Sequence, residues 1–461
     1  MTLIKSISGI RGTIGGQPTE NLTPRDAVDF ASAYAQWLKN QSGKAHPVVV
    51  LGRDARPSGP MVAGAVVSAL TGMGVDVIDL GLSTTPSVEM AVKGLQADGG
   101  IILTASHNPR EWNALKLLND KGEFISAEAG KKILEMVEKG DFEYVPVEAL
   151  GNIQAYEGGY IDEHIREILS YPLVDAAAVR QRGFKVVVDA VRSTGGMAVP
   201  RLLEALGVEY VCLYCEPNGQ FPHNPEPLEK NLTDILRAVP ALNADLGVVT
   251  DPDVDRLALV DEKGRMFGEE YTLVTVADYV WQHRQGPAVS NLSSSRALRD
   301  LAGRYGQPYY ASAVGEVNVV RKMKDTGAVI GGEGNGGIIV PDLHYGRDAL
   351  AGIALVLTYL AKSGKTLSEL KQTYPVYHMA KEKIRLDPGI DVEGILEKFE
   401  KLHPQAAVNK EDGLKLDYPG YWIHLRRSNT EPIIRIYTEA ASPEKAAEIA
   451  RQTIQQIKKL F

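Results

Sequence analysis

Val48-Val49-Val50-Leu51 is a run of four apolar residues, three of them β-branched, closed by Gly52-Arg53-Asp54. A run so short and so branched reads as a buried strand. The period then changes. Over 58–73 the apolar residues recur at helical spacing, with Ser58 placed to cap the first turn. Residues 75–80 read as strand again, 86–95 as helix and 100–103 as a further strand. Strand and helix in alternation mean an α/β domain.

Outward from this core, a polar loop and a helix over 127–139 lead into 140–159, where periodicity stops and Pro146, Gly151, Gly158 and Gly159 gather. A boundary is expected near residue 150. The pattern restarts with helices over 160–169, 197–206 and 232–242 and strands over 185–188, 208–214 and 246–249. A third run follows Gly268, with helices over 271–283, 296–305 and 348–360 and strands over 288–292 and 328–330. From about Pro375 the order becomes strand 379–386, helix 392–402, β-rich runs around Lys415 and over 421–437, then helix 443–460. The expected fold is therefore α/β: three similar mixed α/β domains, 1–150, 151–262 and 263–374, plus a smaller C-terminal α+β domain, 375–461.

The chain of 461 residues sets 50 Lys and Arg against 58 Asp and Glu, a formal charge of −8. No dense basic face for a phosphate polymer is advertised, so nucleic acid is not an expected partner. The longest nearly apolar run, 349–361, falls short of the about 18 residues that span a bilayer, and no membrane segment is expected. Met1-Thr2-Leu3-Ile4-Lys5 does not open a signal peptide, and the cytoplasm is the expected compartment. Cys212 and Cys215 form a lone CxxC in a strand-like run, with no second pair to complete a zinc site.

Four loops carry candidate chemistry. Thr104-Ala105-Ser106-His107-Asn108-Pro109-Arg110 follows a strand directly, where α/β ligands bind. It reads either as an ST-turn or as an exposed serine nucleophile beside an imidazole. Asp251-Pro252-Asp253-Val254-Asp255-Arg256 sets three carboxylates at alternate positions, able to converge on one hard cation. A calcium EF-hand fails here, because Arg256 stands where the loop needs glycine, and Mg²⁺ fits better. Gly331-Gly332-Glu333-Gly334-Asn335-Gly336-Gly337 lacks both GxGxxG spacing and a Walker lysine. Its carboxylate and amide suit sugar hydroxyls, and a structural turn is the other reading. Arg426-Arg427-Ser428-Asn429-Thr430-Glu431-Pro432, with Arg435 beyond, offers the donors a phosphate monoester wants.

Taken in this order, the four loops resemble those of the α-D-phosphohexomutases, over essentially the whole chain. The resemblance implies three related α/β domains and a smaller fourth around a central cleft, each lending one loop. Ser106 would be the phosphorylated serine; Asp251, Asp253 and Asp255 would hold Mg²⁺ together with an oxygen on Ser106. Glu333 and Asn335 would grip sugar hydroxyls, and Arg426, Ser428, Asn429 and Thr430, with Arg435, would anchor the phosphate not being transferred. Arg11 and Lys116 match positions that contact the reacting groups, and Arg256 joins them. The implied partner is a small hexose phosphate, with a sugar 1,6-bisphosphate as intermediate and activator.

The sequence also departs from the family pattern. A histidine common two residues after the second hydroxyl-reading position is Gly337 here, which leaves Lys116 and His107 as candidate bases, with His344 third. In the fourth loop, Ser-Asn-Thr is similar to phosphoglucomutase/phosphomannomutase members, while Thr-Glu-Pro before Ile433-Ile434-Arg435 resembles phosphoglucosamine mutases. The expected reaction is interconversion of glucosamine 6-phosphate and glucosamine 1-phosphate. Glucose or mannose phosphates are the alternative substrates, and a non-catalytic sugar-phosphate sensor is a third reading.

Overall fold

The computed structural model describes residues 2–6, 9–387, 390–428 and 433–460. Two compact units emerge, Met1–Thr272 with Gly336–Leu370, and Leu273–Asn335 with Lys371–Phe461.

In the first unit a seven-stranded sheet runs in the order Ile4–Ser6, Gly9–Thr13, Trp112–Leu118, Gly99–Leu103, Val48–Arg53, Asp76–Leu82, Ile153–Ala155. Val48–Arg53 is an interior strand, parallel to both neighbours. Its alternating side chains serve two layers. Val49 and Leu51 join Phe30, Tyr34, Val62 and Val66 from the helices Pro24–Ser42 and Gly59–Gly72, whereas Val50 joins Val88 and Val92 from Thr85–Gly94 on the other face.

Two local expectations are corrected. Ser58 has helical backbone angles and makes no side-chain cap; its hydroxyl accepts from Asn113 Nδ2 at 2.9 Å. The polar stretch after the serine loop contains a strand, Trp112–Leu118, antiparallel to Gly99–Leu103 and Gly9–Thr13. Buried Asn113 interrupts the apolar reading of that strand, although it carries Lys116 and runs beside the strand of Arg11.

A second sheet in this unit has the order Leu257–Asp261, Leu246–Thr250, Lys185–Asp189, Glu209–Leu213. Leu246–Thr250 and Leu257–Asp261 form an antiparallel hairpin, buried at every position, and the aspartate loop is its turn.

In the second unit three strands, Tyr309–Ser312, Ala288–Asn291 and Ile330–Glu333, pair in parallel. Tyr309–Ser312 and the helix Glu316–Thr326 are absent from the sequence reading; the strand is short and partly exposed, and the helix, although Val319, Val320 and Met323 recur at helical spacing, is rich in charge. The C-terminal region is a five-stranded antiparallel sheet, His378–Arg385, Ile433–Ala440, Tyr421–Arg427, Leu414–Tyr418, Ala407–Asn409, covered by Val392–Lys401 and Pro443–Ile457. The expected class is observed: mixed α/β with three similar α/β domains and a C-terminal antiparallel domain. Among the described residues no helix is long and apolar enough to cross a membrane.

Phe399, fully buried where the helix Val392–Lys401 meets this sheet, anchors the C-terminal core. Phe399→Ala should destabilise the C-terminal region by about 3–5 kcal/mol, read as a lowered urea midpoint in chemical denaturation.

Candidate active site

Ser106 lies three residues beyond the strand Gly99–Leu103, with φ of +48° and almost no exposure. The left-handed backbone is held by its surroundings. Ser106 N–H donates to Thr104 Oγ1 at 2.9 Å, and that hydroxyl donates to Asp54 Oδ2 at 2.6 Å. Asp54 in turn pairs with Arg56 Nε at 2.9 Å, both side chains being fully buried. The Arg56 guanidinium then donates to the carbonyls of Ser106, Asn108 (2.7 Å), Pro109 (2.5 Å) and Trp112 (3.0 Å). One side chain thus fixes the backbone of the whole serine loop.

The Ser106 hydroxyl meets Asp251 Oδ2 at 2.6 Å. Asp251, Asp253 and Asp255 are each completely buried, and one oxygen from each lies within 4.8 Å of the others. Burial first, then the charges of Asp255 and Asp253, push the Asp251 carboxyl well above the usual carboxylate range. Burial acts the same way on Asp253, but Lys116 outweighs it and holds that carboxyl low; Lys116 Nζ sits 2.7 Å from Asp253 Oδ2 and 3.7 Å from Asp255 Oδ2. Reciprocally, the two carboxylates overcome burial and raise the Lys116 ammonium, so it stays charged. Arg347 Nη2 reaches Asp255 Oδ2 at 2.5 Å, and Arg256 Nε lies 3.8 Å from Asp255 Oδ1.

Asp253 Oδ1 and Asp255 Oδ1 are buried without a hydrogen-bond partner among the described residues. Orphaned carboxylate oxygens beside a third carboxylate form an all-oxygen donor set that fits a hard divalent cation such as Mg²⁺. His107, half-buried beside this cluster, is pushed down to about 2 by burial and then by Arg256, so its imidazole is neutral; Nδ1 has no hydrogen-bond partner among the described residues. Arg11 is exposed on Gly9–Thr13, on the strand adjacent to that of Lys116.

In the second unit Glu333 is buried and its Oε1 accepts from Asn291 Nδ2 at 2.8 Å and Gly315 N–H at 3.1 Å, while Asn335 Nδ2 approaches Oε2 at 3.5 Å. Arg426 and Arg435 stand directly opposite each other in the antiparallel pair Tyr421–Arg427 and Ile433–Ala440. Like charges across a strand pair are unfavourable, and Asp412 answers one of them, 2.7 Å from Arg426 Nε. Ser428 is buried, and its N–H donates to Ile433 O at 3.0 Å. Asn429 and Thr430, expected in the phosphate loop, lie outside the described residues.

Four domain descriptions of phosphoglucomutase/phosphomannomutase match in order. These are α/β/α domain I over residues 3–144, domain II over 162–264, domain III over 268–377 and the C-terminal domain over 383–456. The chain belongs to this family, the α-D-phosphohexomutases. It is 38% identical over 443 residues to a phosphoglucomutase/phosphomannomutase of Thermococcus kodakarensis, covering 95% of this chain and 96% of the relative. A probable phosphoglucosamine mutase of Methanopyrus kandleri is 32% identical, with 96% and 95% covered. Among solved structures, a phosphoglucomutase/phosphomannomutase family protein from Burkholderia thailandensis superposes with a TM-score of 0.86 at 27% identity, covering 99% of this chain and 97% of that one. Phosphohexomutases are isomerases that act as intramolecular phosphotransferases, and this chain is such an enzyme.

Sequence reading missed Asp54, Arg56, Thr85 and Arg347. Arg347 sits 92 residues from its partner, and Thr85, whose Oγ1 donates to Asp253 Oδ2 at 2.6 Å, sits 168 away. The one available signal was Arg56 between alanine and proline just after a strand, a position where a surface arginine is equally ordinary. Arg56→Lys keeps a charge but gives up the fork that holds several carbonyls at once. We expect it to lower stability by about 1–3 kcal/mol and to speed amide hydrogen exchange over 104–112 relative to the rest of the sheet.

Proposed function

We propose that this phosphohexomutase transfers a phosphoryl group reversibly between O6 and O1 of glucosamine phosphate through a phosphorylated Ser106. The observation that carries this reading is the 2.6 Å contact of Ser106 Oγ with Asp251 in a cluster of three buried carboxylates. A serine serving only as a turn residue has no need of that company.

In the first half-reaction the sugar hydroxyl attacks phosphorus on Ser106. A sugar O–P bond forms, the Ser106 Oγ–P bond breaks, and a proton returns to Oγ. The bisphosphate then presents its other phosphate to Ser106 and the steps run in reverse. Mg²⁺ held by Asp251, Asp253 and Asp255 would withdraw charge from the phosphoryl oxygens. Lys116, kept charged by Asp253 and Asp255, suits the transferring group rather than proton acceptance. His107 remains the candidate acceptor for the hydroxyl proton by its place beside the cluster, although burial and Arg256, which keep its imidazole neutral, also make it a weak base. Arg11 and Arg256 add positive charge, Glu333 and Asn335 read sugar hydroxyls, and Arg426, Ser428, Asn429, Thr430 and Arg435 take the distal phosphate. A sugar 1,6-bisphosphate would prime the serine.

The amino-sugar assignment is supported by Thr430-Glu431-Pro432 and by the relative at 32% identity named as a probable phosphoglucosamine mutase. A second reading, glucose or mannose phosphates, is favoured by the name of the relative at 38%. Coupled assays on glucosamine, glucose and mannose phosphates should give the highest kcat/KM on the amino sugar; a higher value on either other sugar selects the second reading. Ser106→Ala should abolish turnover with an unchanged circular dichroism spectrum, and wild-type-like activity would rule out the phosphoserine route. Arg426→Ala should raise KM for the sugar phosphate by about tenfold or more, the loss of one charge-assisted hydrogen bond; an unchanged KM removes Arg426 from the distal phosphate.

A further inference from the structure

A second cluster of ionisable side chains lies in the first unit, built on elements that also hold the aspartate loop. His164, on the helix Ile161–Ser170, is fully buried, with Nε2 2.8 Å from Asp348 Oδ2 and Nδ1 3.0 Å from Ser87 Oγ. The same Asp348 oxygen is 3.3 Å from His344 Nε2, and His344 Nδ1 is 3.3 Å from Glu89 Oε2. Two buried carboxylates and two imidazoles therefore alternate in one chain. Burial disfavours charge on His344, but Asp348 and Glu89 outweigh it and push its pKa up to about 10, so an imidazolium bridges them. Gly346 makes room: a Cβ there would come within 1.8 Å of Glu89 Oε2 and 2.8 Å of His344 Nδ1.

Both ends of this chain lead to the aspartates. Ser87 and Glu89 belong to the helix Thr85–Gly94, whose first residue donates twice to Asp253, from N–H to the carbonyl at 2.8 Å and from Oγ1 to Oδ2 at 2.6 Å. Asp348 caps the helix Ala349–Ser363, Oδ1 accepting from the N–H groups of Leu350 (2.9 Å) and Ala351 (3.1 Å). That helix begins with Ala349 N–H on Val254 O at 3.2 Å, and Arg347, one residue earlier, holds Asp255 Oδ2.

We propose that His164, Asp348, His344 and Glu89 are positioning residues that clamp the 344–348 segment to the helix Thr85–Gly94, and so hold Arg347 and Thr85 on the carboxylates of Asp255 and Asp253. The proposal rests on reading those aspartates as the metal site. Arg347 and Thr85 each occupy the Oδ2 oxygen, which leaves Oδ1 of Asp253 and Asp255 as the atoms without hydrogen-bond partners. Together with Lys116, which also holds Asp253 Oδ2, the network thereby sets which oxygen is left for a cation. Outer partners of this kind change metal affinity by about 10–100-fold when lost.

The test is direct titration of the full-length protein with Mn²⁺, read by electron paramagnetic resonance, beside kcat and KM with Mg²⁺. His344→Gln leaves Glu89 and Asp348 facing each other without the bridging cation, while Arg347 keeps its charge. Mn²⁺ affinity should fall about tenfold, and kcat should fall with KM for the sugar phosphate little changed. In an Arg347→Met background, His344→Gln should lower Mn²⁺ affinity by less than it does in wild type, since its route to Asp255 is already cut and only the route through Thr85 to Asp253 remains. Should His344→Gln fail to fold, Glu89→Gln/His344→Gln, which removes one of the two facing charges and so their repulsion, takes its place with the same expectation. Unchanged Mn²⁺ affinity in a folded variant, or full additivity with Arg347→Met, overturns the proposal. So does a transition metal that co-purifies with wild type and is lost in His164→Gln. A wild type that turns over but does not bind Mn²⁺ overturns the metal reading itself, a result distinct from the others.

Discussion

Three carboxylates in five consecutive residues, all removed from water, are the constraint to which the rest of the first unit answers. Charges this close repel, and burial penalises each of them again. The fold brings up Lys116 from Trp112–Leu118, Arg347 from the segment before Ala349–Ser363, and Arg256 from the loop itself. It also spends backbone conformation on the loop. Val254 is fully buried with φ of +65°, a conformation that a β-branched residue avoids unless its surroundings impose it. The surroundings are visible: Ser193 and Thr194 hydroxyls donate to Pro252 O at 2.6 and 2.9 Å, and Ala349 N–H donates to Val254 O.

The serine loop meets a complementary problem. Its carbonyls turn inward, away from any strand that could pair them, and a buried carbonyl without a donor costs free energy. Arg56 supplies the donors, and Asp54 supplies the counter-charge that makes a buried guanidinium tolerable. The two loops are therefore stabilised by opposite means, an anionic loop by cations and a carbonyl-rich loop by a paired arginine, and they meet at Ser106 Oγ and Asp251 Oδ2.

How far this was legible in the sequence depends on the distance over which each interaction acts. Residues 48–51 and 100–103 read as strands because short apolar runs and β-branching are local signals, and the aspartate loop stood out because its three acids share one turn. Ser106 stood out because it follows a strand. Ser58 misled the reading: a serine before a helical run is a local signal for a cap, but Asn113, 55 residues away, takes its hydroxyl instead. Trp112–Leu118 was lost for a related reason, since Asn113 and Lys116 look like loop residues until neighbouring strands give them partners. Thr85 and Arg347 carry no local mark at all. Each is one ordinary residue whose role is fixed by an aspartate in a distant part of the chain.

The formal charge of −8 illustrates the same point about scale. As a whole-chain sum it bears on polymeric partners and says little about a small phosphate. Arg426 and Arg435 face one another across a strand pair, with Asp412 against only the first of them in the contacts described above. Two guanidiniums so placed repel, and an anion between or beside them relieves that repulsion, so the acidic chain holds a locally basic face. On the reading proposed above, the residues that do chemistry belong to the first unit, and those that read the sugar and its distal phosphate belong to the second. Substitutions in the second can then alter sugar preference without disturbing the balance of charge around Asp251, Asp253 and Asp255. Relatives at 38% and 32% identity, matching nearly the whole chain, are named for different sugars.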